Sequence, residues 1–329
     1  MVSLAVDLAP NNPWELRLAN PVIAASGCFG FGLEYAGIVD VQRLGAFVCK
    51  TITLRPRSGN SMPRLIETPA GVLSAVGLQN PGLAAFVRTW PPIWSSWDVP
   101  AIVSIAGETV DEFAAIAETL DELTGIAAIE LNLSSPIRDL PGSCFGFHPD
   151  QTAQVVEAVR ASTSLPVVAK LSPAANDIVA VALAAESAGV DAISLINAIV
   201  GLTIDVKRRR PALATGFGGL TGPAIKPIAV RMVHDVAATV SVPVIGIGGI
   251  ASLADLLEYL VVGASAVQIG SAIFAQPSLL TRLIDELEAW MMTNEIDRLD
   301  QIVGTIRIPT ADPGGASASA ATLRAVAAG

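Results

Sequence analysis

The stretch PVIGIGGIASLADLLEYLVVGASAVQIGS, residues 243–271, decides the fold class. It opens with an apolar run, Pro243–Ile247, and turns on Gly248 and Gly249. It continues as Leu253–Val262 with apolar residues at helical spacing, then returns as a second apolar run, Ala266–Ile269, closed by Gly270. Runs that are apolar throughout mark strands buried on both faces of a parallel sheet. The same unit recurs outward along the chain. Val22–Ala25, Ala46–Ile52, Ala101–Ile105, Ala128–Leu133, Pro166–Leu171 and Ala192–Ile196 bring the candidate strands to eight. Helical patterns fall between most of them, at Val110–Leu123, Thr152–Ala161, Ile178–Ala188 and Ala224–Val240. In the first of these Phe113, Ala114, Ile116, Ala117 and Leu120 share one face. Eight alternations predict a (β/α)8 TIM barrel of the α/β class over its rival, an open doubly wound sheet. One barrel domain is expected over residues 1–308. The Pro-Gly-Gly and Ala/Ser-rich segment 309–329 reads as a poorly ordered tail.

Composition narrows the function classes. Of 329 residues, 52% are hydrophobic and only 15% charged, too apolar for a disordered chain. Lys and Arg number 20 against 30 Asp and Glu, a net charge of −10. That balance argues against nucleic-acid binding, which needs a basic surface. Three scattered cysteines, Cys28, Cys49 and Cys144, fit neither a disulfide framework nor a CxxC metal site, so a reducing, cytoplasmic setting is expected. Two long uncharged stretches, Val236–Ala254 and Tyr259–Thr281, imitate membrane spans, but Pro243, Pro277 and their glycines break them into short pieces. The N-terminus carries Asp7 and Glu15 and lacks the pattern of a secretory signal.

In a barrel of this kind the active site lies at the C-terminal ends of the strands. Strand two ends in Cys49-Lys50-Thr51 and strand five in Lys170-Leu171-Ser172-Pro173. A lysine at a strand end can snorkel to water. Two lysines embedded in apolar sequence at matching strand ends instead suit a site that stabilises negative charge on a ligand. On strand four Glu130, Asn132 and Ser134 share a face, and Glu130 is a natural partner for one of the lysines. Strand six ends in Asn197. The glycine turns after strands seven and eight let backbone N–H groups approach a phosphate. Gly246-x-Gly248-x-x-Ala251 also imitates a dinucleotide fingerprint, but no acidic residue follows at the ribose spacing. His148 and His234 make no metal constellation, Ser135 has no His-Asp pair at a recognisable spacing, and Cys144 reads as a packed side chain.

Taken together, the longer motifs resemble the class 1B dihydroorotate dehydrogenases, catalytic subunits that work with a separate electron-transfer subunit. The resemblance runs from about Leu16 to about Trp290. It is carried by Ala25-Ser26-Gly27-x-Phe29-Gly30-x-Gly32, by Lys50-Thr51-x-Thr53-x-x-Pro56-Arg57-x-Gly59-Asn60-x-x-Pro63-Arg64, and by Gly77-Leu78-Gln79-Asn80-Pro81-Gly82. Lys170-Leu171-Ser172-Pro173 and Gly218-Gly219-Leu220-x-Gly222-Pro223-Ala224-Ile225-Lys226-Pro227 complete it. The resemblance implies an FMN-binding barrel. It places the FMN phosphate at Gly248, Gly249, Gly270 and Ser271, Lys170 at the electron-rich pyrimidine edge of the flavin, and Lys50 between flavin and substrate. It adds Ser26, Thr51, Ser104, Asn132, Ile196 and Gly222 to the cofactor contacts. Substrate contacts map to Lys50, Ser74, Val76, Gly77, Leu78, Asn132, Asn197 and Ala198. No metal is implied. A homodimer core and an FAD and iron–sulfur partner passing electrons to NAD are implied. The reaction removes a proton from one ring carbon of dihydroorotate and a hydride from its neighbour, the hydride going to flavin N5.

The substrate half of the pattern departs from the family. The family's base is a cysteine in Asn-x-Ser-Cys-Pro-Asn, and here the stretch is Asn132-Leu133-Ser134-Ser135-Pro136-Ile137. Ser135 stands at the base position, as serine does in the class 2 relatives; a hydroxyl is a weaker base and needs a relay for its proton. Of four asparagines that clamp the pyrimidine, two are replaced, by Ser74 and Ile137. Ala198 stands for the usual Ser or Thr, and Ser104 for an Asn on the flavin side. Each lost hydrogen-bond partner costs about 1–3 kcal/mol. Three readings follow: a dihydroorotate dehydrogenase using Ser135, an FMN oxidoreductase acting on a different cyclic substrate, and a flavin-binding relay subunit with weak catalysis.

Overall fold

A computed structural model describes residues 2–134 and 143–308. Eight parallel strands close into a barrel: β1 Val22–Ala24, β2 Ala46–Val48, β3 Ala101–Ile105, β4 Ala128–Asn132, β5 Val167–Lys170, β6 Ala192–Leu195, β7 Val244–Ile247 and β8 Ala266–Ile269. Each pairs with its neighbours in sequence, and β8 pairs with β1 to close the ring. All eight lie on the apolar runs read from the sequence; Ala101–Ile105 and Ala266–Ile269 keep the same bounds and the other six are shorter.

Helices pack outside the ring: α1 Val110–Asp121, α2 Pro149–Ser162, α3 Ile178–Ser187, α4 Lys226–Ala237, α5 Leu253–Val261 and α6 Leu279–Thr293. Their starts have local causes. Thr109, Asp177 and Ser252 accept hydrogen bonds from the first-turn N–H groups of α1, α3 and α5, and Pro149 opens α2, where its missing N–H costs nothing. The two span-like stretches are divided as their glycines and prolines require. Val236–Ala254 covers the end of α4, β7 and the start of α5, and among the described residues no helix is long and apolar enough to cross a membrane.

The inside of the ring is a separate core. Ile23, Ala46, Val48, Ile102, Ala128, Val168, Ala192, Ile245 and Ala266 meet there, and Leu8, Leu16 and Leu18 pack onto them from a small N-terminal hairpin, Val6–Asp7 with Arg17–Leu18. That hairpin closes the bottom of the barrel. At the other end, two excursions supply a four-stranded antiparallel sheet in the order Ile199–Leu202, Phe217–Thr221, Gly71–Ser74, Leu65–Thr68. Sequence reading missed this sheet because its strands are short, half exposed and rich in glycine, so they lack a buried-strand pattern. It stands over the barrel mouth and contributes Val72, Ser74, Gly219 and Thr221 to the pocket there.

Between β2 and the helices, Phe47 is fully buried and touches Phe29, Trp94 and Trp97, with ring centroids 6.0, 5.3 and 5.6 Å away. Phe47→Ala should therefore lower stability by about 3–5 kcal/mol through lost transfer energy and a cavity. Urea unfolding measures this, and a loss under about 1 kcal/mol would show that the aromatic cluster relaxes into the space.

Candidate active site

The site begins with a buried carboxylate. Glu130, on β4, has no exposed surface. Its Oε1 accepts from Ser194 Oγ on β6 at 2.9 Å and from Gln268 Nε2 on β8 at 2.5 Å. Its Oε2 makes no hydrogen bond, and the nearest cation is Lys170 Nζ on β5 at 3.5 Å. The same ammonium donates to Gln268 Oε1 at 3.4 Å. Register explains the meeting, since Asn132 lies opposite Lys170 and Lys170 opposite Ser194. The period of two puts Glu130 one layer below Asn132 on the inward face. Both contacts of Lys170 are long, so its ammonium is neutralised from below and keeps donor capacity toward the mouth above.

Around that floor the strand ends form one depression with two chambers that share Ser26, Lys170, Asn197 and Ala198. The first chamber takes in Ile196, Gly222, Gly248, Gly249, Gly270 and Ser271. The second, of about 350 Å³, takes in Lys50, Thr51, Ser74, Val76, Gly77, Leu78, Ser104 and Asn132. Every described residue singled out from the sequence as a site candidate thus lines the same depression. Ser135 and Ile137 lie outside the described residues. His148 and His234 line neither chamber.

Hydrogen bonds fix the second chamber's polar wall. Ser26 Oγ donates to the Cys49 carbonyl at 2.7 Å, and Thr51 Oγ1 and Ser104 Oγ lie 2.9 Å apart. Asn197 Nδ2 donates to Asn132 Oδ1 at 3.2 Å and to Ser134 Oγ at 3.0 Å, which ties the ends of β4 and β6 together. Lys50 makes no ion pair among the described residues, and burial holds its ammonium below the usual lysine range. Leu78 sits in the left-handed backbone region at φ 52° within the Gly77-Leu78 turn, a strained conformation of the kind that clusters at binding sites.

Some lining residues were not anticipated. Cys28 lies in both chambers; burial pushes its thiol up to about 11, although Lys170 and Lys50 pull the other way. It falls at an unspecified position of the motif Ala25-Ser26-Gly27-x-Phe29-Gly30-x-Gly32. Thr221 and Phe274 also line the pocket and follow motif glycines or strand ends without a pattern of their own.

Opposite the lysines, the turns after β7 and β8 present backbone donors. Among the described residues, the N–H groups of Gly248, Gly249 and Ile250 and of Gly270, Ser271 and Ala272 donate to no protein acceptor, and all six residues line the first chamber. Such converging N–H groups form an anion cradle.

The chain matches the dihydroorotate dehydrogenase family over residues 9–291. It belongs to that family. Its relatives include proteins named dihydroorotate dehydrogenase B (NAD(+)), catalytic subunit. The one from Desulforudis audaxviator is 52% identical over 289 residues, 88% of this chain and 94% of the relative. That from Trichlorobacter lovleyi is 47% identical over 292 residues, 89% and 96% of the two chains. That from Halalkalibacterium halodurans is 45% identical over 304 residues, 92% and 98%. Dihydroorotate dehydrogenases are FMN-dependent oxidoreductases, and the donor set fits FMN: unpaired N–H groups for a phosphate at one end, cationic and amide side chains for a polar ring system at the other.

The ion pair beneath the site gives a stability prediction. Glu130→Gln leaves a buried ammonium without its counter-charge and should cost the ligand-free protein about 3 kcal/mol, while adding Lys170→Met should recover most of it. A double-mutant cycle by denaturant unfolding checks this; additive losses would mean that the two groups do not interact.

Proposed function

We propose that this chain is the catalytic subunit of an NAD-linked dihydroorotate dehydrogenase, oxidising dihydroorotate to orotate in pyrimidine biosynthesis. The observation that carries the reading is the polarity of one pocket in a member of this family: free backbone N–H groups in the first chamber, Lys50 and Asn132 in the second, and Lys170 and Asn197 shared by both. Bound FMN supplies the acceptor for the hydride that leaves the substrate. Gly248, Gly249, Gly270 and Ser271 would hold its phosphate. Ser26, Thr51, Ser104, Asn132, Ile196 and Gly222 would frame its ring, and Lys170 would face the edge where electron density gathers. Lys50, in the second chamber, would stand between flavin and substrate. Asn132 and Asn197, already hydrogen-bonded to each other, would present their remaining donors and acceptors to the pyrimidine beside Ser74, Val76, Gly77, Leu78 and Ala198.

The proton is assigned to Ser135, which occupies the family's base position in sequence. A serine hydroxyl has a pKa far above the working pH, so it accepts a substrate proton only as its own is passed on. Electrons leave to another protein. Three cysteines are too few for an iron–sulfur cluster of four thiolates, and the resemblance to the class 1B catalytic subunits implies a partner that carries FAD and such a cluster and passes the electrons to NAD. A homodimer core belongs to the same proposal. So does a cytoplasmic location, in keeping with Cys28, Cys49 and Cys144, which are all free.

The departures at Ser74, Ser135, Ile137 and Ala198 bear on the substrate, and the tests are chosen to reach them. Rapid mixing with dihydroorotate under anaerobic conditions should bleach the flavin, and Ser135→Ala should slow that bleaching by roughly 10²–10⁴. A slowing of less than threefold would remove Ser135 from the mechanism. Lys170→Ala should weaken FMN retention or slow its reduction, and unchanged kinetics would contradict the assignment. Combining Ser135→Cys, Ser74→Asn and Ile137→Asn should change the rate with dihydroorotate only modestly; a large gain would mean that the native pocket is shaped for a different cyclic substrate. The chain purified alone should not reduce NAD, and reduction without a partner would overturn the two-component proposal.

A further inference from the structure

Two side chains of α5 reach the turn after β7 from beneath, and neither lines the pocket. Asp255 and Tyr259 stand at i and i+4 on one helix face. Tyr259 is fully buried, and its hydroxyl donates to the Gly248 carbonyl at 2.6 Å. Its ring lies so close under β7 that a Cβ on Gly246 would fall 2.3 Å from it, so only glycine at 246 admits the tyrosine. Asp255 Oδ2 accepts from Ala251 N–H at 3.0 Å and from Ser252 Oγ at 2.8 Å. Its Oδ1 accepts from Lys226 Nζ at 2.6 Å, which neutralises the carboxylate.

These contacts govern which way the turn's peptides face. A planar trans peptide points its carbonyl and the following N–H in opposite directions. Drawing the Gly248 carbonyl down to Tyr259 therefore turns the Gly249 N–H up, away from α5 and toward the chamber. Gly248 at φ 134° and Gly249 at φ 71° use backbone freedom that glycine alone has, so an untethered turn would have other orientations open to it. Asp255 occupies the N–H of Ala251 and leaves those of Gly248, Gly249 and Ile250 to point elsewhere.

We infer that Tyr259, with Asp255 as a second tether, is a positioning residue that presets this turn for the phosphate of FMN. The inference rests on the proposed FMN site and assigns no contact between either side chain and the cofactor.

Riboflavin separates this role from a merely structural one, because it shares the ring and ribityl chain of FMN but lacks the phosphate. Dissociation constants for FMN and riboflavin would be measured on the ligand-free full chain by flavin fluorescence, for the wild type, Tyr259→Phe and Asp255→Asn. Tyr259→Phe should raise the FMN Kd tenfold or more and move the riboflavin Kd less than twofold, so that discrimination between the two ligands collapses. Asp255→Asn should act in the same direction and carries the test if Tyr259→Phe does not fold. Equal weakening of both ligands, as general loosening of the barrel would give, overturns the inference, and so does an unchanged ratio. A wild-type chain that takes up no FMN refutes the flavoprotein reading itself, and this inference with it.

Discussion

Glu130 has no surface open to water, and three strands other than its own send polar groups to it: Ser194, Gln268 and Lys170. A carboxylate in that position must be compensated, and removing one partner of such a pair leaves the other stranded at high cost. The pair therefore fixes more than itself. It sets the height and direction of the Lys170 ammonium, and with it the charge at the floor of the pocket. Above it the asparagine pair, the hydroxyl chain from Ser26 to Ser104, and Lys50 are all placed relative to strands whose inner layer this one carboxylate ties together.

The rest of the pocket is assembled from parts far apart in the chain. The closed barrel holds the strand ends rigid, because every strand has a neighbour on both sides and none is an edge. Irregular backbone then lines the pocket: the turn at Ser26–Cys28, the Gly77-Leu78 turn, and the two glycine turns after β7 and β8. The four-stranded sheet has no counterpart in the barrel repeat. By adding Ser74, Gly219 and Thr221 over the mouth, it turns an open cup into two chambers.

What could be read from the sequence follows from burial. The eight barrel strands are covered on both faces, so each left an apolar run, and the glycine turns announced the anion cradle before any coordinates. The ion pair was legible as well, because Glu130 shared the inward face of β4 and a lysine embedded in apolar sequence needed a partner. The upper sheet left no such trace: Leu65–Thr68 and Gly71–Ser74 are short and half exposed, and Gly218 and Gly219 interrupt the strand Phe217–Thr221 with residues that carry no strand pattern. Cys28 was read only as one of three scattered cysteines, because a lone thiol between Gly27 and Phe29 has no spacing that points into a pocket. Tyr259 read as one more apolar position on a helix; that its hydroxyl meets a carbonyl of the turn before that helix is set by the approach of α5 to β7, which no spacing encodes.

The plug of Leu8, Leu16 and Leu18 at the foot of the barrel has a bearing on traffic. With that end filled by packed aliphatic side chains, the cavity has no passage through the foot of the barrel among the described residues. Whatever enters to be oxidised must back out the way it came. Reducing equivalents face no such queue, since an electron can pass between proteins without any molecule crossing the pocket. Traffic of matter and traffic of charge can therefore use different faces of the same small room.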